Sequence, residues 1–313
     1  MKLQQFRYLK EIVARDLNLS DAAEALHTSQ PGVSKQIRQL ERELGVELLV
    51  RHGKRVIDMT EPGRAILGIV ERILQDTNNL KQVAREFSAK GSGSLVIATT
   101  HTQARYALPP VVSGFTQRYP KVRLSLRQGS PEYIAQLVRS GEADIAITTE
   151  AAELYEGLVL LPCHQWNHCV ITPLRHPLPR ERPLTLEAIA RHPVITYDFA
   201  LAGDSPIKRA FDQKHLAPNI VLTAIDADVI KAYVEMGLGV GILAKMAFDP
   251  ARDLGLRLID ASHLFEPSMA RIGLRPNAYL RGYIYEFIEM FAPHLKRAVV
   301  DATLKGEGSS YEL

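Results

Sequence analysis

The chain has 313 residues, of which 46% are hydrophobic and 23% charged, and its formal net charge is +3. This length predicts two or three domains, and the composition is typical of a folded globular protein. So small a net charge permits a nucleic-acid partner without arguing for one. The first 13 residues mix apolar with charged side chains, which excludes a signal peptide, and no apolar run approaches the roughly 20 residues that span a bilayer. We therefore expect a cytoplasmic protein that does not associate with membranes, in which Cys163 and Cys169 are reduced thiols.

Three helices are predicted within the first 45 residues. Apolar residues recur at steps of three and four between Leu3 and Val13, which indicates one amphipathic helix. Ser20 predicts the start of a second helix. Ser29 is expected to cap a third helix, which carries Pro31 in its first turn and ends at Gly45.

A hairpin and a long helix are predicted next. Two short apolar runs flank the basic segment 51–55, which is typical of a hairpin with a basic tip. Thr60 is expected to cap a helix that continues to about Ser88, and Lys90–Ser94 then forms a flexible linker. The apolar residues of the long helix repeat close to a heptad, at Ile66, Ile69, Ile73, Leu80, Val83 and Phe87.

Beyond the linker, short apolar runs typical of buried strands alternate with helical patterns. The first three strands are expected at 95–98, 122–126 and 143–148, with helices at 109–118 and 131–140 between them. This alternation predicts an α/β domain with a mainly parallel sheet.

The third helix has the features of an element that reads DNA. A helix fits the major groove, its N-terminal side chains approach the base edges, and its first N–H groups favour phosphate. Polar side chains of this helix and cations of the hairpin are therefore the candidate DNA contacts, together with the proline of the first turn: Thr28, Ser29, Gln30, Pro31, Ser34, Lys35, Arg38, Arg51, Lys54 and Arg55. On pattern alone, a small helical domain with a solvated polar face is an equal alternative.

Small polar residues follow three strands of the predicted sheet. They lie between Thr99 and Gln103 after the first strand, between Gln128 and Ser130 after the second, and at Thr148 and Thr149 after the third. The carboxyl ends of parallel strands share one edge of the sheet, where ligands bind in open α/β folds. We therefore expect a site for an oxyanion that needs no formal positive charge. The alternative is that these hydroxyls only cap helices.

The segment from Ala22 to Gly45, followed by Thr60–Gly63, resembles the N-terminal domain of LysR-type transcriptional regulators. The resemblance implies an α/β fold with an N-terminal winged helix-turn-helix, a long linker helix, and a two-subdomain effector domain like that of periplasmic binding proteins. It also implies a homotetramer, a dimer of dimers in which linker helices pair antiparallel. The implied partners are double-stranded promoter DNA and RNA polymerase.

The expected domain boundaries follow from this resemblance and from the breaks in pattern. The winged helix-turn-helix occupies residues 1–60, the linker helix 61–90, the effector domain 91–303 and a flexible tail 304–313. One effector subdomain comprises about 91–163 with 268–303, and the other comprises 164–267.

A narrower resemblance rests on Thr99–Pro109, Gln128–Ser130, Asp144–Ile147 and Asp226–Lys231, which are similar to the CysB/Cbl subgroup. This subgroup controls sulfate and organosulfur assimilation, so the implied effector is a small sulfur-pathway molecule: sulfate, thiosulfate, an acetylserine or adenosine phosphosulfate. Together with the residues that follow the strands, the resemblance gives the candidate effector contacts Thr100, Thr102, Gln103, Thr149 and Ser130.

One segment departs from the subgroup. Where its members often have a Thr-Gly-Arg sequence facing the cleft, this chain has Ala202-Gly203-Asp204. A hydroxyl donor and a cation are missing and an acid is gained, so an anionic ligand should bind more weakly there, or differently. We therefore place no effector contact at Ala202.

Two other patterns carry no site. Two cysteines and two histidines lie around Trp166, and such a set suits a metal or redox site, but alternation along one strand would send these side chains to different faces. Gly237–Gly241 lacks the spacing of a dinucleotide-binding motif. We thus expect no metal, no cofactor and no enzyme activity.

Two other functions compete with that of a transcriptional regulator. One is a solute-binding protein for sulfate-like anions, which the helix-turn-helix opposes, and the other is an enzyme, for which no catalytic residues stand out.

Overall fold

The computed structural model describes residues 1–53, 55–88, 92–149, 152–201, 203 and 205–306. The chain forms two compact units, Met1–Ser88 and Ala89–Leu313. Among the described residues, no helix combines the length and the apolar character needed to cross a membrane.

The first unit contains helices α1–α4 and a two-stranded hairpin. The helices are α1 (Leu3–Ala14), α2 (Leu19–Ala25), α3 (Gln30–Leu44) and α4 (Glu61–Ser88), and the strands are β1 (Leu49–His52) and β2 (Arg55–Met59). Fully buried apolar side chains of α1 and α3, among them Leu9, Ile12, Ile37 and Leu40, form its core. Val70 of α4 joins this core, so the first turns of α4 belong to the same hydrophobic unit.

Side chains at the helix ends explain where α2 and α3 start and stop. The Asn18 side chain caps α2 by accepting hydrogen bonds from the backbone N–H groups of Ser20 and Asp21, so the expectation that Ser20 begins the helix is wrong by one residue. Ser29 caps α3 as predicted, since its hydroxyl accepts from the Gly32 N–H. Gly45 ends α3 in the left-handed conformation, with φ of 73°.

The start of α4 is fixed against the hairpin by Thr60 and Gly63. The Thr60 hydroxyl donates to the Glu47 carbonyl at 2.6 Å and accepts from the Gly63 N–H at 2.9 Å. A Cβ on Gly63 would overlap the carbonyl of Leu48, so only glycine allows this close approach.

The second unit contains two sheets. Its strands are β3 (Gly93–Thr99), β4 (Val122–Gln128), β5 (Ile145–Thr148), β6 (Val159–Trp166), β7 (His168–Pro173), β8 (Pro193–Tyr197), β9 (Asn219–Ala224), β10 (Val240–Ala244), β11 (Leu256–Asp260) and β12 (Ser268–Leu274). Its helices are α5 (Leu108–Arg118), α6 (Pro131–Ser140), α7 (Leu186–Ala190), α8 (Pro206–Gln213), α9 (Ala227–Glu235), α10 (Gly282–Phe291) and α11 (Arg297–Leu304).

Each sheet combines parallel and antiparallel strands. The first has the order β4-β3-β5-β12-β6, in which β4, β3 and β5 are parallel and β12 runs antiparallel to both of its neighbours, β5 and β6. The second has the order β11-β7-β10-β8-β9, in which β10, β8 and β9 are parallel. The chain passes from the first sheet to the second at Asn167, between β6 and β7. The second subdomain was expected to begin at residue 164, which is three residues earlier. We call the two sheets with their helices the first and second subdomains.

The C-terminal helix extends further than expected. Leu304, predicted to open a flexible tail, is the last residue of α11, and its side chain packs into the core of the first subdomain. The rest of the predicted tail, from residue 307 onward, lies outside the described residues.

Candidate nucleic-acid interface and ligand cleft

The N-terminal end of α3 presents polar side chains to solvent. Lys35 and Arg38 are exposed, and Gln30 and Ser34 are half-buried beside them. These four residues line a groove of about 1050 Å³ between α3 and the start of the hairpin. Thr28, Ser29 and Pro31 are exposed at the same helix end. The arrangement presents hydroxyls, an amide and two cations along one face, which suits contacts with phosphates and base edges.

Arg51 has a structural partner that the sequence did not reveal. Its guanidinium makes two hydrogen bonds to the carboxylate of Glu41 on α3, at 2.9 and 3.1 Å. Glu41 is buried and also accepts from the backbone N–H groups of Leu48 and Leu49, which begin the hairpin. Arg51, a predicted DNA contact, thus also holds α3 to β1, and its side chain lines the same groove as Gln30 and Lys35.

The hairpin tip offers one described cation. Arg55 is exposed on β2, whereas Lys54, the other predicted contact at the tip, lies outside the described residues. A single exposed arginine in a tight hairpin can reach a phosphate or a minor groove.

In the second unit, the ends of three parallel strands meet at one edge of the first sheet. The strand register places Thr99 opposite Gln128 and Ile147, which brings Thr100, Ser130 and Thr149 to the same edge. Ser130 is exposed, and its hydroxyl accepts a hydrogen bond from the Tyr133 N–H as the cap of α6. The capping alternative therefore accounts for Ser130, while Thr149 is half-buried.

The segment after β3 buries polar atoms that lack hydrogen-bond partners. Thr100 and Gln103 are 5% and 0% exposed, and Thr100 Oγ1, Gln103 Oε1 and His101 Nδ1 have no partner among the described residues. Burying such an atom without a partner costs about 1–3 kcal/mol. A cluster of three at a strand end, where a helix begins, is the arrangement of a polar ligand site.

The helix that begins here is irregular. We expected a helix from residue 109, but helical backbone starts at His101, and Gln103–Ala107 forms a π-helical turn before α5. Such turns are rare and occur often at functional sites. We call Gln103–Ala107 the π-turn.

The opposite wall of this site comes from the second subdomain. Thr102 Oγ1 lies 3.4 Å from the hydroxyl of Tyr197, at the end of β8, and Gln103 Nε2 lies 4.0 Å from Met246 Sδ. Tyr197 is fully buried, and this burial raises the pKa of its hydroxyl, which therefore stays protonated. The site therefore lies where the two subdomains meet, and we call this region the cleft.

Comparisons with known proteins identify the family. Residues 3–64 match the family described as "Bacterial regulatory helix-turn-helix protein, lysR family", and residues 88–296 match the "LysR substrate binding domain". The chain belongs to the LysR family of transcriptional regulators. The expected fold class, with its winged helix-turn-helix and two-subdomain α/β domain, is thereby confirmed.

Relatives place the chain near the CysB/Cbl subgroup. It is 54% identical over 313 residues to the regulator CysB of Burkholderia cenocepacia, covering 100% of both chains, and 54% identical over 305 residues to SsuR of the same organism, covering 97% of this chain and 99% of SsuR. Among solved structures, the cofactor-binding domain of the Cbl regulator matches with a TM-score of 0.66 and 42% identity, over 69% of this chain and 94% of that domain. These matches indicate a transcriptional regulator and not an enzyme.

Within this LysR-family chain, the second wall of the cleft is what sequence reasoning missed. Tyr197 ends β8, and Asp226 caps α9 after β9, so both follow strands that are parallel in the second sheet. Both residues lie at the ends of predicted strands, as Thr100 and Thr149 do in the first sheet, so the sequence carried a signal for them.

The cleft also brings together three groups of a kind that bind metal ions. Atoms of His101, Asp226 and Asp228 lie within 4.8 Å of one another. Asp228, however, is paired with Arg105 and Lys231 at 2.6 and 3.2 Å, and it accepts from the Tyr106 hydroxyl. A metal ion would have to compete with these two cations, so the group does not favour one.

The segment 163–169, which contains two cysteines and two histidines, was expected to lie on one strand, but it is divided between β6 and β7. Cys163 lies on β6 in the core of the first subdomain, and Cys169 lies on β7 in the core of the second. Burial raises the pKa of each thiol to about 12. His168, also buried, has its pKa lowered to about 4 by desolvation. The two thiols thus occupy different hydrophobic cores.

Proposed function

We propose that this protein is an activator of sulfur-assimilation genes. It binds double-stranded promoter DNA through α3 and the hairpin, and a small sulfur-pathway molecule bound in the cleft controls its response. The buried, unpartnered polar atoms of Thr100, His101 and Gln103 are the observation that carries the ligand half of this proposal. The names of its relatives CysB, SsuR and Cbl support the sulfur pathway.

The cleft favours an anionic or strongly polar ligand. Thr100, Thr102, Gln103 and Thr149 offer neutral hydrogen-bonding groups beside the first N–H groups of a helix, and such groups can hold an oxyanion. Sulfate, thiosulfate, an acetylserine and adenosine phosphosulfate all carry one. Ser130 is a weaker candidate because its hydroxyl already caps α6. Ala202 and Asp204, where the chain departs from its subgroup, lie outside the described residues.

The DNA half rests on the exposed face of α3. Gln30 can pair with adenine, and Lys35 and Arg38 with guanine or phosphate, at the helix end that enters a major groove. Arg51 positions the hairpin against this face through its ion pair with Glu41, and it remains a candidate contact beside Arg55. We further propose that the regulator works as a homotetramer and contacts RNA polymerase at the promoter.

Two matched variants test both halves at once. Gln30→Ala removes an amide from the proposed DNA face, and Gln103→Ala removes one from the cleft. Binding to a sulfur-assimilation promoter fragment and to a shuffled fragment is measured by electrophoretic shift across salt concentrations. Ligand binding is measured as the rise in melting temperature with sulfate, thiosulfate, O-acetylserine, N-acetylserine and adenosine phosphosulfate.

The two variants should fail in opposite assays. Gln30→Ala should weaken promoter binding by roughly 5- to 150-fold, as expected for a lost bidentate base contact, and keep the thermal response. Gln103→Ala should bind the promoter like the wild type and lose that response. Equal wild-type affinity for promoter and shuffled DNA contradicts the DNA half. If none of the five compounds raises the melting temperature of the wild type, the ligand half is wrong.

A further inference from the structure

The π-turn belongs to the first subdomain but reaches into the second. The ring of Tyr106 packs against the hydrophobic core of the second subdomain. Gln103, at the start of the turn, lies beside Met246 of the second subdomain, and Thr102 lies beside Tyr197. The segment that carries the proposed effector contacts is therefore also a bridge between the two halves of the cleft.

A network of hydrogen bonds and ion pairs surrounds the end of this bridge. The Tyr106 hydroxyl donates to Asp228 Oδ1 at 2.6 Å, and Arg105 Nε pairs with Asp228 Oδ2, also at 2.6 Å. Lys231 Nζ donates to the Tyr106 hydroxyl at 2.9 Å and pairs with Asp253 at 3.0 Å. We call these five residues the latch. Arg105 and Tyr106 come from the first subdomain, and the other three come from the second.

The latch is balanced in charge and partly removed from water. It contains two cations and two carboxylates, and the side chains of Lys231 and Asp253 are each 11% exposed. Burial lowers the pKa of Lys231, but its hydrogen bonds to Tyr106 and Asp253 outweigh this and leave the pKa raised. Burial raises the pKa of Asp228, but the hydrogen bonds from Tyr106 and Lys231 outweigh this and leave the pKa lowered. Both groups are therefore charged at neutral pH.

Opening the cleft would break the latch at its subdomain boundary. Tyr106 would leave an apolar core, and Asp228 would lose the hydroxyl and the guanidinium that neutralise it. Both changes oppose opening, so the latch favours the closed arrangement.

We infer that the latch sets how far the two subdomains close, and that effector binding acts through it. Gln103 and Tyr106 lie on the same π-turn, so a ligand that holds Gln103 fixes the backbone that places Tyr106. A π-turn contains one more residue than an α-helical turn. A change of this segment to α-helical geometry would therefore rotate the Tyr106 side chain relative to Asp228. This inference concerns the regulation of the proposed effector site and rests on that proposal.

Distances between spin labels test the latch without any ligand. Cysteines introduced at Gln136 on α6 and Ala232 on α9, both exposed, carry one nitroxide in each subdomain. Pulsed electron paramagnetic resonance is recorded on full-length protein diluted with unlabelled chains, so that only distances within one chain contribute. Wild type is compared with Tyr106→Phe, which keeps the ring, and with Asp228→Asn.

Asp212→Asn is the matched control. Asp212 pairs with Lys208 at 2.8 Å within α8, so the same chemical change breaks an exposed ion pair that does not bridge the subdomains. Circular dichroism verifies that every variant is folded.

The latch variants should separate from the control. Tyr106→Phe and Asp228→Asn should lengthen or broaden the distance distribution by more than about 2 Å, while Asp212→Asn reproduces the wild type. With sulfate as the probe, the latch variants should weaken apparent binding by roughly 5- to 100-fold, because a less populated closed state lowers apparent affinity.

Two outcomes would overturn the inference. One is that both latch variants give the wild-type distance distribution. The other is that they change the distances while sulfate binds them as tightly as it binds the wild type. The proposed effector site is tested separately: it is wrong if Gln103→Ala keeps the wild-type thermal response to ligand. The spin-label distances are measured without ligand and do not depend on that result.

Discussion

At the scale of single residues, burial decides the chemistry of the two cysteines. Cys163 and Cys169 lie in different subdomain cores and are 5% and 0% exposed. The reactive form of a cysteine is the thiolate, and a thiol with a pKa of about 12 is almost entirely protonated at neutral pH. Neither side chain is therefore suited to sense oxidants in the folded protein.

We predict that both thiols resist labelling in the native state. At pH 8 a thiol with a pKa of about 12 is ionised to roughly one part in ten thousand, whereas an unperturbed cysteine is ionised to about a quarter. Ellman's reagent at pH 8 should therefore release almost no product from folded protein and two equivalents per chain in guanidinium. Because burial raises both pKa values, the slow labelling of the native protein should still increase from pH 8 to pH 9. Rapid labelling of the native protein at pH 8 would contradict this assignment.

The side-chain contacts that the sequence did not predict share a physical cause. Thr102 and Tyr197 are 95 positions apart, and Glu41 and Arg51 are separated by a turn of the chain. Periodicity reports which face of an element is buried, but it does not report which elements meet. The sequence pattern therefore gave no sign that Arg51 pairs with Glu41.

At the scale of elements, local signals predicted the helices and strands well where one signal dominated. The apolar spacing in α1, the Ser29 cap and Gly45 located α1 and α3. The start of α2 was misplaced because Asn18 and Ser20 are both good caps, and the choice depends on the extended backbone that Asn18 adopts. The sequence carried no local signal for the π-turn, whose residues contact the second subdomain.

The ion pair between Glu41 and Arg51 fixes the hairpin to the third helix. Its side chains are 9% and 22% exposed, whereas the Asp58–Arg64 pair nearby is 59% exposed on both sides. Breaking a buried pair by removing one partner costs about 3–5 kcal/mol, and an exposed pair contributes about 0–1 kcal/mol. The two pairs thus form a matched comparison within one domain.

We predict that Glu41→Gln loosens the hairpin and weakens DNA binding, whereas Asp58→Asn does neither. The glutamine leaves Arg51 without its charge partner and keeps the side-chain volume. Hydrogen–deuterium exchange of peptides covering 46–52 should accelerate at least tenfold in Glu41→Gln, and promoter affinity should fall with it. Unchanged exchange in this variant, or equal effects of both substitutions, would show that the pair does not hold the hairpin.

At the scale of the whole molecule, α4 has two kinds of apolar side chain. Ile66, Leu67, Val70 and Leu74 pack on the core of the first unit. Ile69, Ile73 and Leu80 lie outside this core and are 48%, 36% and 70% exposed. The apolar residues of α4 that repeat close to a heptad, which we call the stripe, therefore do not all lie on one exposed face, because the first of them, Ile66, packs on the domain core. Phe87, the last member of the stripe, has a side chain outside the described residues.

The exposed part of the stripe predicts that α4 pairs with another copy of itself. Burying a leucine side chain stabilises an interface by about 1.5–3 kcal/mol, so a lysine in its place should raise the dissociation constant at least tenfold. We predict that Leu80→Lys shifts the protein towards monomers in sedimentation velocity at micromolar concentration. Asn78→Lys, which adds the same charge two residues away on an exposed position off the stripe, should sediment like the wild type.

If both variants keep the wild-type sedimentation coefficient, another surface assembles the proposed tetramer. If both dissociate, the added charge and not the stripe is responsible. Loss of assembly in Leu80→Lys should also reduce promoter affinity without changing the thermal response to ligand, since the cleft lies in the second unit.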